Sequence, residues 1–310
     1  MSRRHRPAPE LFQAAVDGDR SALARLLSLI ERGDDDARVI GRLAYPLSGS
    51  GYTVGLTGAP GAGKSTLTSS LIGLLRAQDL EIAVLAIDPS SPFTGGAILG
   101  DRVRMQDHAT DPGVFIRSMA TRGHLGGLSL ATPEAVRVLD AIGRKWILVE
   151  TVGVGQVEVE VAGKADTTVV VVNPGWGDAV QANKAGLLEI ADVFVVNKAD
   201  REGVRDTRRD LEHMLDLSAA IGWRPPVVET VATTGEGVAD LRAAVADHRA
   251  HLLTDGRLEA RRSERVGDEL RRIVVERLDQ RAGRLCVGPE FDRLHDAVVA
   301  RRVDPWAAAD

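Results

Sequence analysis

The sequence predicts an α/β protein built on a doubly wound, mostly parallel sheet, with N-terminal helices ahead of it and a C-terminal helical extension behind. Three features point there. From residue 53 onward, short strands that are almost unbroken Val/Ile/Leu runs (TTVVVV, DVFVV) recur along the chain. A strand apolar on both faces belongs in a parallel sheet covered by helices on each side. These strands alternate with helical segments, which requires right-handed crossovers. A glycine-rich turn also joins the first strand directly to a helix.

Taken in order, residues Glu10 to Ile30 carry apolar positions at helical spacing: Leu11, Ala14 and Ala15, then Leu23, Leu26, Leu27 and Ile30. Gly18 and Asp19 interrupt them, so two short helices joined by a turn are expected. A third short helix follows Gly33-Asp34-Asp35-Asp36 and ends near Pro46. The predicted strands are Thr53–Thr57, Ile82–Ile87, Val114–Arg117, Trp146–Glu150, Thr167–Val172, Val193–Asn197 and Val227–Thr230. After Gly235-Glu236-Gly237 the chain reads as helix over about 239–251, 257–281 and 290–302. That tail has too few apolar residues on any one face for a core of its own, so it needs the main domain or a second copy to pack on. The expected organisation is an N-terminal helical segment (1–48), a central domain (49–253) and a helical extension (254–310).

Composition narrows the function classes. The chain has 310 residues, with 44 acidic against 39 basic, a formal net charge of −5. That balance argues against a dedicated nucleic-acid binder. A single cysteine, Cys286, excludes an internal disulfide framework and a Cys-rich zinc site. No apolar run approaches the roughly 20 residues that cross a bilayer, and no secretory apolar region follows the basic start. The expectation is a soluble, cytoplasmic protein with no membrane or nucleic-acid partner.

The chemistry begins at residues 58–65, Gly58-Ala59-Pro60-Gly61-Ala62-Gly63-Lys64-Ser65, followed by Thr66. This is a full GxxxxGK[ST] match between the strand TVGLT and a helical stretch over Thr66–Ala77, the setting that phosphate binding requires. The glycines allow a tight turn whose N–H groups face inward at phosphate oxygens, helped by the positive end of the next helix. Lys64 would reach the β- and γ-phosphates, and Ser65 would ligate Mg²⁺. Such a loop needs a carboxylate on a neighbouring strand. Glu150 ends one strand and precedes Thr151-Val152-Gly153, which resembles a DxxG element with Glu for Asp; Gly153 would then donate its N–H to the γ-phosphate. Asp88 ends another strand, and Asp101 lies further along the same connection, where a plain loop carboxylate or helix cap is an open alternative. Either could reach the ion directly or through water.

Residues Asn197-Lys198-Ala199-Asp200 read NKxD at the end of a predicted strand. Asp200 can accept both the N1–H and the 2-amino group of guanine, whereas adenine has no donor at position 2. Asn197 can bond to the base edge and the phosphate loop, with the Lys198 stem along the base plane. Ala232 sits where a backbone N–H would meet guanine O6. Gln156 is a candidate for orienting the attacking water, and a plain surface glutamine fits equally well. Arg102, Arg104 and Arg122 lie in candidate switch loops, but none is an evident arginine finger. Slow intrinsic turnover, raised by a partner, is the expectation.

These motifs, with AIDPSSPFTGGAILGDRVRM (86–105), IRSMATRGHLGGLS (116–129), ILVETVGVGQVEVE (147–160) and NPGWGDAVQANKAG (173–186), resemble the MeaB/ArgK/MMAA group of P-loop GTPases over about residues 10–300. The resemblance implies a homodimeric GTPase that docks on an adenosylcobalamin-dependent acyl-CoA mutase of the methylmalonyl-CoA mutase type. It would gate loading of intact cofactor and help replace damaged cofactor. It also implies a phosphate–magnesium site of Lys64, Ser65, Asp88, Asp101 and Glu150, dimer contacts from the terminal helices, and a partner-signalling loop including Asp178, Gln181 and Lys184. No DxHxxG element is present, so cobalamin is expected on the partner rather than bound directly. A metal-delivery GTPase of hydrogenase or urease maturation would share the nucleotide site but should carry a His-rich tract or paired cysteines. A small-molecule kinase would need an ATP preference, which NKAD opposes. A binding module without catalysis would need an inert P-loop, and no position of the motif is damaged.

Overall fold

A computed structural model describes residues 6–33, 35–88, 105, 108–120, 127–151, 164–175, 189–217 and 222–310, the side chains of 88, 120 and 127–130 excepted. It contains a seven-stranded, all-parallel sheet: β1 (Tyr52–Gly58), β2 (Ile82–Asp88), β3 (Val114–Ala120), β4 (Trp146–Thr151), β5 (Thr167–Val172), β6 (Val193–Asn197) and β7 (Val227–Thr230). The strand order is β3-β2-β4-β1-β5-β6-β7. Each strand covers its expected segment, with β1 to β4 running one to three residues further at an end.

Three helices precede the sheet: α1 (Ala8–Val16), α2 (Arg20–Arg32) and α3 (Asp35–Ala44). The interruption at Gly18 and Asp19 is a built boundary, because the Asp19 carboxylate accepts the Ser21 and Ala22 N–H groups and caps α2. Between and after the strands come α4 (Lys64–Arg76), α5 (Gly127–Ala141), α6 (Val204–Leu217) and α7 (Val238–Leu253). Alternation along the strands then divides the core in two. Ala83, Leu85, Ile87, Phe115, Ile147 and Val149 face α1, α2, α3 and α5. Ile82, Val84 and Leu148 belong to a second cluster with α4, α6 and α7, which takes in every β5 and β6 valine, from both faces of those strands. The N-terminal helices are therefore one wall of the sheet's own core.

The lower edge of the sheet, where the strands begin, carries a buried polar chain. Tyr52 Oη lies 2.6 Å from Thr167 Oγ1, which lies 2.8 Å from His248 Nδ1. His248 Nε2 lies 3.3 Å from Asp192 Oδ1. A neutral imidazole with its proton on Nε2 satisfies every member: Tyr52 donates to Thr167, Thr167 to His248, and His248 to Asp192. Burial agrees with that assignment, since it pushes His248 down to about 4 and Tyr52 up to about 12. Asp192 also takes a bidentate bond from Arg261 at 3.0 and 2.9 Å. Arg262 grips Asp166 and donates to the Gly49 and Gly51 carbonyls. These arginines lie in the first two turns of the long helix α8 (Arg257–Leu285), so its root is bolted to the residues immediately before β5 and β6.

The chain divides into two compact units, one running through Arg262 and the other Ser263–Asp310. The second holds the rest of α8, then α9 (Pro289–Val299) and a short α10 (Pro305–Ala309) that the sequence pattern did not indicate. Val266, Leu270, Val274 and Leu278 are exposed at four-residue intervals along α8. Among the described residues, no helix is long and apolar enough to cross a membrane.

Candidate functional site

The parallel sheet brings the ends of all its strands to one edge, and the sequence-predicted site residues that are described collect there. β1 lies between β4 and β5, opposing Leu56 to Glu150 and Gly58 to Val171. The turn after β1 thus emerges beside the end of β4, at a point where strand order changes direction, which is where open α/β sheets bind ligands.

Gly58 leaves the strand at φ +131°, and a Cβ there would lie 2.0 Å from the Val171 carbonyl oxygen. No other residue allows the backbone to pass β5 so closely. Lys64 opens α4, two residues earlier than helical spacing indicated, because the loop glycines end at Gly63. Its side chain is buried and Nζ donates to the Gly58 and Ala59 carbonyls at 2.7 and 3.1 Å, folding the ammonium into the mouth of the loop. Ser65 Oγ donates to Glu150 Oε1 at 2.6 Å, and both residues are buried. Thr151 fastens this end of β4 to β1 through Leu56 O and Thr57 Oγ1.

Asn197 is the hub of the other half. It ends β6, is 1% exposed, and makes three hydrogen bonds. Its Nδ2 donates to Ala62 O in the phosphate loop at 2.7 Å. Its Oδ1 accepts from Thr230 Oγ1 at 3.0 Å and from the Ala232 N–H at 3.1 Å. Lys198, held at φ +62°, reaches back to the Gly61 carbonyl at 2.6 Å. Asp200 is exposed on the same turn, and the Ala199 N–H donates to Thr230 O at 3.0 Å. The phosphate loop, the NKxD turn and the loop after β7 are therefore one hydrogen-bonded unit. Pro60 and Gly61 are exposed at its surface, and Thr66 is half-buried just inside α4.

Asp88 ends β2 at this edge, where Ile87 opposes Thr151. Asp101, Gly153, Gln156, Asp178, Gln181 and Lys184 lie outside the described residues. Two contributors had no sequence signal. Thr230 supports the Asn197 carbonyl oxygen, and Ser70 on α4 donates to Ala232 O at 2.6 Å. Both contacts join residues far apart in the chain, which no local spacing encodes.

The oxygen donors present fit a hard divalent cation: a buried serine hydroxyl and a carboxylate, adjacent to a lysine at the mouth of the glycine-rich loop. The arrangement can hold a polyphosphate by its terminal groups and a purine at the NKxD turn.

Comparison with known proteins agrees. The family described as "Methylmalonyl Co-A mutase-associated GTPase MeaB" matches residues 23–284. A putative GTPase of Pyrococcus abyssi is 52% identical over 97% of this chain and 94% of its own length. The GTPase ArgK of Escherichia coli is 35% identical over 92% of this chain and 88% of its own. The mitochondrial methylmalonic aciduria type A homolog of Mus musculus is 34% identical over 81% and 65%. A crystal structure described as a LAO/AO transport system kinase superposes with a TM-score of 0.74 at 28% identity, covering 97% of this chain and 94% of that one.

Proposed function

The chain belongs to the MeaB family of methylmalonyl-CoA mutase-associated GTPases, and from that premise we propose that it is a GTP-hydrolysing chaperone. It gates adenosylcobalamin loading and reactivation of a cobalamin-dependent acyl-CoA mutase of the methylmalonyl type. The observation that carries the nucleotide half is the Asn197 hub, which ties the phosphate loop to both candidate base-reading turns. The mutase half is supported by the family match and by the resemblance to the methylmalonic aciduria type A homolog.

In this reading the amides of Gly61 to Ser65 receive the phosphates, and Lys64 exchanges its carbonyl partners for β- and γ-phosphate oxygens. Ser65 and Glu150 hold Mg²⁺, with Asp88 and Asp101 as the further carboxylates. When bound, the ion supplies positive charge against the γ-phosphate. Gly153 donates to the same phosphate, and Gln156 orients water. Asp200 accepts from guanine N1–H and the 2-amino group, beside Asn197 and Lys198. The segment after β5, with Asp178, Gln181 and Lys184, reports nucleotide state to the mutase. Cobalamin stays on the partner. The exposed apolar row Val266, Leu270, Val274 and Leu278 supplies the homodimer contact.

Coupling requires the GTP and GDP forms to differ in affinity for the mutase. GTP turnover measured with and without an adenosylcobalamin-dependent acyl-CoA mutase tests the proposal. Slow turnover alone, rising on mutase addition, is expected. Fast turnover alone with no response to the mutase, or equal use of ATP, overturns it.

A further inference from the structure

We propose that Ser70 is the positioning residue for recognition of the base's 6-oxo group, an inference that rests on the guanine site proposed above. Ser70 lies in α4 and is neither in the phosphate loop nor in the NKxD turn. Its hydroxyl has one proton and two carbonyls in reach: Thr66 O at 3.1 Å and Ala232 O at 2.6 Å. The first is the i−4 back-bond that a serine inside a helix makes by default. The shorter contact goes to the loop after β7, so the proton is committed across the fold.

That contact controls a donor. The peptide joining Ala232 to Thr233 is planar and trans, so its C=O and N–H point from opposite edges of one rigid plate. With the Ala232 carbonyl drawn onto α4, the Thr233 N–H is turned away from the helix. The neighbouring amides are already engaged: Ala232 N–H with Asn197 Oδ1 at 3.1 Å, and Thr234 and Gly235 N–H with Val231 O at 3.0 Å each. Thr233 is exposed, and among the described residues its N–H has no protein acceptor. The Thr233 N–H is thus an uncommitted donor beside the NKxD turn, oriented by Ser70.

The chemistry of that donor matches an oxo group and repels an amino group. Guanine and hypoxanthine present an acceptor at position 6, adenine presents a donor, and 2-aminopurine presents neither. Without the Ser70 hydroxyl, the plate is free to rotate and can show its carbonyl instead. The site then loses its preference for oxo over amino. Asp200 reads the 1,2 edge of the base, and Ser70 sets the polarity of the reader at position 6.

Equilibrium titration of the full chain with GTP, ITP, ATP and 2-aminopurine riboside triphosphate, for wild type, Ser70→Ala and Ser70→Thr, tests this. Ser70→Ala should weaken GTP and ITP by about three- to tenfold, the worth of one neutral hydrogen bond, and leave the 2-aminopurine analogue unchanged. Ser70→Thr, which keeps the hydroxyl, should restore wild-type affinities. An equal loss for all four nucleotides would mean a merely structural role and overturns the inference, as does no loss at all. A wild type that binds ATP as tightly as GTP overturns the guanine reading and this one with it.

Discussion

Replacing Asn197 by alanine should cost the nucleotide-free protein about 3 kcal/mol. The side chain is 1% exposed and makes bonds of 2.7, 3.0 and 3.1 Å to Ala62 O, Thr230 Oγ1 and the Ala232 N–H. Each such bond is worth about 1 kcal/mol net, and a partner left buried without one costs about 1–3 kcal/mol. Water entering the vacated volume recovers part of that penalty, which holds the total near the sum of three bonds. A loss of that size leaves a domain of ordinary stability folded. It separates the phosphate loop from the two turns beside it. The assay is urea denaturation without nucleotide, because Asn197 is also placed against the base and a binding measurement alone would mix the two roles. Asn197→Asp isolates one bond: it keeps the acceptor for Thr230 and Ala232 but sets an oxygen against Ala62 O. A destabilisation by alanine of less than about 0.5 kcal/mol, the range of an ordinary surface change, would refute the hub.

Gly63 has φ +92°, and a Cβ there would lie 2.4 Å from Asn197 Nδ2, whereas Gly61 has φ +73° with nothing within 4 Å. Gly63→Ala should therefore displace the hub and abolish tight GTP binding. Gly61→Ala should cost only backbone strain, about 1–2 kcal/mol, when the two are compared by denaturation and titration. His248 is held neutral, its folded value of about 4 lying below the ordinary 6.5. The unfolded chain binds the extra proton first, so stability is full above about pH 6.5 and falls as pH drops towards 4. The slope is roughly 1 kcal/mol per pH unit, and it should vanish in His248→Gln when denaturation is followed across pH. Chelating divalent cations should lower GTP turnover by about a hundredfold or more, as should Ser65→Ala, and added magnesium should rescue only the first.

The fold was legible because its strands declare themselves. Thr167–Val172 and Val193–Asn197 are buried at every position, as strands covered on both faces must be, and nothing in a helix or hairpin would demand six such residues without alternation. The candidate site was legible where its pattern is contiguous: eight residues of phosphate loop and four of NKxD each show in their own spacing, and the fold brings the two together through Asn197. What escaped is what depends on the packed sheet. Ser70 meets Ala232 across 162 positions, and His248 meets Thr167 across 81. A serine inside a helix and a histidine inside another look unremarkable until the sheet sets their neighbours. The start of α4 at Lys64 was misplaced for a related reason, since glycine-rich composition masks the point where a turn becomes a helix.

The two ends of β5 and β6 constrain how a nucleotide signal could leave this site. The residues just before these strands are tied down: Asp166 by Arg262, and Asp192 by Arg261 and His248, with Arg262 also holding the Gly49 and Gly51 carbonyls. Their last residues lead into the segment after Val172 and into the NKxD turn. Five or six residues of strand span about 17–20 Å, and a fully buried strand hydrogen-bonded on both sides resists bending along that length. Small displacements at the phosphates therefore fall on the upper ends and the Asn197 hub rather than on the root of α8. Under the proposed function, the mutase must read the loops that follow β2, β4 and β5 at the nucleotide edge. The bolted root would keep the first turns of α8 in one position in either nucleotide state. The polar chain at the lower edge is thus a fixed base for the sheet on the side away from the nucleotide edge.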